Sequence, residues 1–95
     1  MAKIDIETEV ETARGWEYHA AVVRAAGGAS RHTITLAWVD HELWSGGRVA
    51  PSRVIEALLG YLVEHESEHE LPASFDAATV RRWFPGVDRE LAGRF

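Results

Sequence analysis

The hydrophobic pattern changes its period once along the chain, and this change constrains the fold more than any other sequence feature. Up to Val39, apolar residues alternate with polar ones, which is the period of a half-buried β-strand. After Pro51 they recur every three to four residues, as on the buried face of an amphipathic helix. The pattern therefore predicts an α+β domain, with strands first and then helices that pack on one face of the sheet.

Three strands are predicted in the first part of the chain. They span about 3–11, 16–26 and 31–39. In the first strand, every second residue from Ile4 to Val10 is isoleucine, threonine or valine, so these side chains are expected on one face. Turn residues separate the strands, and Gly15 suits a left-handed position in the first turn. Because the connections are short, the strands should form an antiparallel meander.

One long helix and two short helices are predicted in the second part of the chain. They span about 51–69, 76–84 and 87–94. Residues 40–49 are expected to form a connection with one helical turn. Pro51 suits the first position of the long helix, and Asp76 or Ser74 suits the cap of the next helix. The apolar residues that end at Phe84 should dock this short helix on the core.

Composition excludes several classes of protein. A length of 95 residues, 46% of them apolar and 26% charged, is typical of one globular domain over 1–95. The absence of cysteine excludes disulfides, thiolate metal sites and cysteine nucleophiles. A net charge of −5 argues against nucleic-acid binding, which normally needs clustered Lys and Arg. Because there is no signal peptide and no stretch of membrane-spanning length, the domain is expected in the cytoplasm and away from membranes.

The segment from His65 to His69 matches the His-Glu-x-x-His signature of zinc-dependent hydrolases. In that signature two histidines on one helix face hold Zn²⁺, and the glutamate, here Glu66, acts as general base. Both histidines are predicted at the end of the long helix, so the local geometry permits metal binding. Acidic residues surround them, however, and no third ligand stands in a recognisable motif downstream. We therefore interpret the segment as a hydrated helix end, with adventitious metal binding or a zinc hydrolase as alternatives.

Other histidines and the tryptophans are weaker candidates. His19, His32 and His41 have no serine or threonine partner in a nucleophile motif, so structural or surface roles are expected. Four tryptophans are many for a three-stranded sheet to bury, and tryptophan and arginine are common at binding hot spots. Trp44, which is expected to stay partly exposed in a loop, and nearby Arg48 are therefore the candidates for partner binding.

Several short motifs occur in a fixed order along the chain. They are Thr33-Ile34-Thr35-Leu36, Leu43 before Gly46-Gly47, Pro51 at the start of a helix, Leu62-Val63-Glu64, Phe75-Asp76 and Trp83-Phe84-Pro85. In this order the chain resembles a group of short bacterial hypothetical proteins over about residues 16–90. The resemblance implies an α+β fold and a bacterial origin, and it implies no activity and no site residues.

The sequence thus favours a small non-enzymatic cytoplasmic domain that acts through protein–protein contact or homodimerisation. A zinc-dependent hydrolase that uses His65, Glu66 and His69 is the alternative. A domain that binds a small ligand between sheet and helix is a third hypothesis. No cofactor is expected unless zinc is bound.

Overall fold

The computed structural model describes residues 2–95, in which a four-stranded sheet packs against helices on one of its faces. In chain order the elements are β1 (Lys3–Glu11), β2 (Gly15–Val23), β3 (Ala29–Ala37), α1 (Trp38–Ser45), α2 (Pro51–Glu64), β4 (Ser74–Asp76), a 3₁₀ turn (Ala77–Thr79), α3 (Val80–Trp83) and α4 (Val87–Ala92). The α+β class is confirmed, and β1, β2 and β3 form the predicted antiparallel meander. None of the helices in the described residues is long and apolar enough to span a membrane.

The core lies between the sheet and α2. Alternate residues of β2 and β3 are buried on one sheet face, as their period-two pattern predicts. They meet the apolar face of α2, whose residues recur at helical spacing. The buried set includes Tyr18, Ala20, Val22, Ile34 and Leu36 in the sheet, and Val54, Ile55, Leu58, Leu59 and Leu62 in α2. The change of period in the sequence therefore marks the division between two packed layers.

A β-bulge in β1 reverses which residues in the second half of this strand face the core. Ile6 lies on the core side, but the register with β2 shifts between Ile6 and Thr8. Beyond the shift Glu9 pairs with Tyr18 on the core side, and the Tyr18 hydroxyl donates to its carboxylate at 2.7 Å. Val10 consequently lies on the open face of the sheet and is exposed. The prediction that the alternating apolar residues of this strand share one face is wrong, because one inserted residue inverts the alternation.

A fourth strand, which the sequence pattern does not indicate, joins the sheet beside β3. Phe75 of β4 pairs with Ile34 in a parallel arrangement. Next to this pair the Thr35 hydroxyl donates to the carboxylate of Asp76 at 2.8 Å. A strand of three residues is too short to show an alternating pattern, so only its partner strand defines it.

The end of β3 and the start of α1 differ from the prediction. β3 is Ala29–Ala37, and α1 begins directly after it at Trp38. Residues 38–39, which were predicted as strand, and the first part of the predicted connection therefore form one helix of eight residues. Its inner side is defined by Asp40 and Trp44, which are both buried and lie one helical turn apart. Gly46, with φ of 65°, ends the helix in the left-handed conformation that glycine adopts readily.

The long helix α2 ends at Glu64, before the predicted end at His69. The reason is a competing hydrogen bond at the next residue. The imidazole Nδ1–H of His65 donates to the Tyr61 carbonyl at 2.8 Å, and this carbonyl is the acceptor that the backbone N–H of His65 would use in a helix. That backbone N–H bonds instead to the Leu62 carbonyl at 3.1 Å, which tightens and terminates the last turn.

The helices after β4 are shorter than predicted. The Asp76 carboxylate accepts the backbone N–H of Ala78 at 2.8 Å, so Asp76 is the cap, while its rival Ser74 lies in β4. The predicted helix 76–84 is a 3₁₀ turn followed by a single turn of α-helix. The last helix, α4, ends at Ala92, two residues earlier than expected.

Candidate functional site

The His-Glu-x-x-His segment lies in a turn that follows α2. His65 is the first residue past the helix, with φ of −113° and ψ of 21°. The backbone N–H groups of Glu68 and His69 both donate to the His65 carbonyl, at 3.0 and 3.2 Å. The prediction that both histidines lie in the long helix is therefore wrong, because they belong to the turn that follows it.

The two imidazole rings belong to an aromatic cluster at the end of α2. The ring of His65 lies 4.3 Å from that of Tyr61, and the ring of His69 stacks on Trp83 at 4.1 Å. Phe84 approaches both imidazoles, with centroid distances of 5.5 Å to His65 and 6.3 Å to His69. Both histidines thus act as aromatic packing residues that hold α3 against the end of α2.

Glu66, the candidate general base, is held in a two-point ion pair with Arg24 at the end of β2. The guanidinium Nε and Nη2 atoms donate to the two carboxylate oxygens, both at 2.7 Å. These hydrogen bonds lower the pKa of Glu66 against the smaller, opposite effect of burial. A general base at neutral pH needs a raised pKa and a free oxygen, and Glu66 has neither.

A metal ion would need more ligands than this segment supplies. A zinc hydrolase normally uses three protein ligands and leaves one position open for water. Within residues 2–95, no three His, Asp or Glu side chains come together in a way that could hold a metal ion. The zinc-hydrolase hypothesis for His65, Glu66 and His69 therefore gains no support from their arrangement.

A buried histidine, His32, belongs to a hydrogen-bonded chain that sequence analysis did not anticipate. Its Nδ1 lies 2.6 Å from the Pro72 carbonyl oxygen. Because a carbonyl can only accept, Nδ1 carries the proton, and Nε2 accepts from the Ser30 hydroxyl at 2.7 Å. Arg24 Nη1 donates to the same hydroxyl at 3.0 Å, which connects this chain to Glu66.

A serine bonded to a histidine in this way can serve as a nucleophile, but its surroundings here favour a structural role. His32 is almost completely buried, and every buried side-chain nitrogen and oxygen in the described residues has a hydrogen-bond partner. The network ties the turn after α2 to the sheet. One signal for it exists in the sequence, because Ser30 and His32 are two residues apart on a strand and share a face.

Trp44 is buried, with only 2% of its surface exposed, and the expectation that it stays partly exposed is wrong. Its indole N–H donates to the carboxylate of Asp88 in α4. Arg81 lies 4.8 Å from the indole centroid and bridges Asp88 and the buried Asp40, at 2.8 and 2.7 Å. Burial raises the pKa of Asp88, but the hydrogen bonds from Trp44 and Arg81 outweigh it and lower the pKa. The inner side of α1 is therefore firmly anchored.

The outer side of α1 carries three exposed apolar side chains, which we call the α1 patch. Trp38 is 49% exposed, Val39 70% and Leu43 58%. At 3.6 residues per turn these positions fall in one arc, opposite the buried Asp40 and Trp44. The exposed tryptophan of this region is thus Trp38 and not Trp44. The helix presents apolar side chains to solvent on a face where charged residues are usual.

Charged residues and a small pocket border the α1 patch. Glu42 lies on its exposed arc, and Arg48 follows α1 after two glycines; both are exposed. In the part of the chain that the structure describes, neither of them forms an ion pair. A pocket of about 190 Å³ lies beside them, and Leu43, Gly46 and Phe95 are among its lining residues. The α1 patch and its border therefore combine exposed apolar side chains, a pocket, an acidic residue and a basic residue within one small area.

A larger groove lies at the edge of the sheet. It measures about 510 Å³ and runs between the start of β1, the outer side of α2 and the chain end. Ile4, Ala57, Gly60 and Phe95 contribute to its walls. This groove lies between the edge strand of the sheet and α2, which is the location that the hypothesis of a small-ligand site requires, and that hypothesis stays a prediction.

Comparisons with protein-family models, curated proteins and solved structures find no match to this chain. Its function therefore has to follow from its own residues. Among them, the α1 patch departs most from the burial that ordinary packing predicts.

The hydrophobic pattern did not reveal the α1 patch, because it predicts Trp38 and Val39 in a strand and the residues after them in a connection. A signal was nevertheless present in the spacing. Val39 and Leu43 are four residues apart, and so are Asp40 and Trp44. Two interleaved pairs of this kind are typical of a helix with two different faces. The pattern is too short to decide between helix and strand without the turn that Gly46 supplies.

Proposed function

We propose that this domain acts through protein–protein contact made by the α1 patch and that it catalyses no reaction. The observation that carries the proposal is the clustering of exposed apolar side chains. Of the five large apolar residues that are exposed in residues 2–95, three belong to this one helix, namely Trp38, Val39 and Leu43. Single exposed apolar residues are normal on a monomer, whereas a cluster on one helix face is typical of a binding surface.

The size of the patch sets the strength of the contact. The three side chains leave roughly 300 Å² of apolar surface in water, by the usual areas of such residues. Burial of that surface contributes about 7 kcal/mol, at ~25 cal/mol per Å². Association costs about 4–15 kcal/mol in lost freedom of motion, so the patch alone supports weak or transient binding.

The anchoring of α1 favours such a contact because it reduces the cost of ordering. Trp44 and Asp40 hold the inner side of the helix through Asp88 and Arg81. The outer side is therefore presented on a helix that is already fixed before a partner arrives. A preorganised surface loses less conformational entropy on binding than a flexible segment does.

The test places a photoreactive amino acid, p-benzoylphenylalanine, at Leu43 in cells that produce the protein. Illumination is expected to join the variant covalently to a protein partner. Val23 is the matched control, because it is also an exposed apolar residue, at 48%, but lies in the sheet. If position 43 gives no adduct, or gives the same adducts as position 23, the α1 patch is not a contact surface and the proposal is wrong.

A further inference from the structure

We infer that the partner that covers the α1 patch is a second copy of this chain; this rests on the function proposed above. A two-fold symmetric contact requires a surface that complements itself, so that each feature meets its counterpart on the other copy. The α1 patch and its border contain both halves of such a contact. They contain an exposed apolar projection beside a pocket, and an unpaired acid beside an unpaired base.

The projection is Val39, which is the most exposed large apolar residue of the described chain, at 70%. The receiving pocket of about 190 Å³ has room for a side chain of this size, and Val39 is not part of its lining. Gly46 contributes no side chain to the rim of the pocket, and a Cβ there would meet only the guanidinium Nε of Arg48 within 4 Å. In the proposed dimer, a two-fold rotation places Val39 of each copy in the pocket of the other.

The charges follow the same symmetry. The Glu42 carboxylate reaches over Gly47, where an added Cβ would lie 3.1 Å from its Oε2 atom. Arg48 lies at the same end of α1, and neither charge is neutralised in residues 2–95. In the dimer, Glu42 of each copy faces Arg48 of the other, which gives two equivalent ion pairs at the rim. Opposite charges at the rim select the partner and its orientation more than they add affinity.

The small area limits the stability of this dimer. A stable interface buries about 800 Å² on each partner, and the α1 patch with its border offers less. We therefore expect self-association with a dissociation constant on the order of micromolar or weaker. The net charge of −5 on each copy acts in the same direction, since two negative chains repel at long range.

The test is sedimentation equilibrium of the full chain from micromolar to millimolar concentration. The wild type is expected to pass from monomer to dimer over this range. Val39→Asp should stay monomeric, while Val23→Asp, which places the same charge on the sheet, should dimerise like the wild type. A wild type that stays monomeric, or a Val39→Asp variant that dimerises normally, would overturn the inference.

A charge exchange tests the symmetry of the contact. Glu42→Arg alone and Arg48→Glu alone should each weaken dimerisation, by about tenfold, because each turns both rim pairs into like-charge contacts. An equimolar mixture of the two variants should recover wild-type affinity as a heterodimer, since both cross pairs are then again opposite in charge. If the mixture is no tighter than either variant alone, the proposed pairing is wrong.

The photocrosslink at Leu43 separates this inference from the proposed function. An adduct with the mass of two chains supports both. An adduct with a different protein, together with a monomeric wild type, supports the proposed function and overturns the inference. The absence of any adduct overturns both.

Discussion

Gly15 is required because two backbones approach each other closely, and not because of a left-handed conformation. It starts β2 beside the end of β3, and a Cβ added there would overlap the Leu36 carbonyl oxygen and lie 2.9 Å from the Cα of Ala37. The glycines that have positive φ are elsewhere, in the turns at 27–28 and 46–47. The expected left-handed position of Gly15 is thus wrong, and the space beside β3 is what requires glycine there.

Gly15→Ala should destabilise the domain by about 2–3 kcal/mol or more, because the strand has to move away from its neighbour. Gly60→Ala is the matched control. Gly60 lies in α2 with nothing within 4 Å of an added Cβ, so alanine there should stabilise the helix by up to about 1 kcal/mol. Denaturant titration measures both changes. A Gly15→Ala variant with the wild-type midpoint would show that the close approach is not rigid.

The histidine motif leads to a prediction about metal content. His65 and His69 pack against aromatic rings, and the carboxylate of Glu66 is bound to Arg24. We therefore expect the purified protein to carry no stoichiometric zinc, as measured by elemental analysis. One zinc per chain that disappears in both His65→Ala and His69→Ala would contradict this expectation and restore the zinc-hydrolase hypothesis.

At the scale of elements, the single helical turn α3 depends on docking for its stability, because isolated helices of this length do not form in water. Phe84 follows α3 and is half-buried against Tyr61 and both histidine rings. Since a fully buried phenylalanine costs about 3–5 kcal/mol when it is truncated, Phe84→Ala should cost roughly 2 kcal/mol. The exposed Arg82 is the control, and Arg82→Ala should change the stability by less than about 0.5 kcal/mol. Chemical denaturation of the two variants provides the comparison, and equal midpoints would place Phe84 outside the packed structure.

The sequence predicted the elements whose burial repeats over several turns or residues. Alternation identified β2 and β3, and helical spacing identified α2, because each of them buries one continuous face in the core. The errors arose where one local interaction overrides the pattern. A single bulge residue inverts β1 after Ile6, and one imidazole hydrogen bond from His65 ends α2. Such interactions depend on geometry that a periodic pattern does not contain.

The candidate surface was predicted even less well than the fold. Arg48 is exposed at the border of the α1 patch, close to where a partner surface was expected. Trp44, however, is buried, and Trp38 has the exposed position that Trp44 was expected to hold. The burial of Trp44 depends on Arg81 and Asp88, which come from the last third of the chain and hold its indole inside. No local sequence signal could show that these residues meet α1.

At the scale of the whole molecule, the Arg24–Glu66 pair joins the end of β2 to the turn after α2 and should make stability depend on pH. In the folded protein the pKa of Glu66 is below its ordinary value of 4.5. The unfolded chain therefore takes up the proton first as the pH falls. The stabilisation is fully present above about pH 4.5 and is lost as the pH drops through the lower, folded pKa.

Glu66→Gln removes this titration and is the variant to compare. We expect the wild type to lose stability more steeply than Glu66→Gln as the pH falls below about 4.5 and through the lowered pKa of Glu66, and to exceed it in stability at neutral pH. Glu68→Gln is the control, because Glu68 is exposed and forms no ion pair in residues 2–95. Denaturation midpoints measured from neutral pH down through the lowered pKa of Glu66 decide the matter. Parallel curves for the wild type and Glu66→Gln would mean that the pair does not form in solution.

The parallel pairing of β4 with β3 has a consequence for how the chain folds. It joins residues as far apart as Thr35 and Asp76, which are 41 positions distant, whereas the antiparallel strands before it pair with their neighbours in the chain. Contacts between distant residues require a large loop to close and are formed slowly. We expect the hairpins to be present in the rate-limiting transition state and the last strand to be absent from it.

Stopped-flow folding of two variants tests this order. Ile34→Val in β3 should slow refolding, while Phe75→Leu in β4 should mainly accelerate unfolding. A Phe75→Leu variant that refolds as slowly as Ile34→Val would contradict this order, because β4 would then already be paired in the transition state. If the order holds, transient opening of the native state begins at β4. The aromatic cluster at the end of α2 would then detach together with α3 as one cooperative unit, while the meander stays paired.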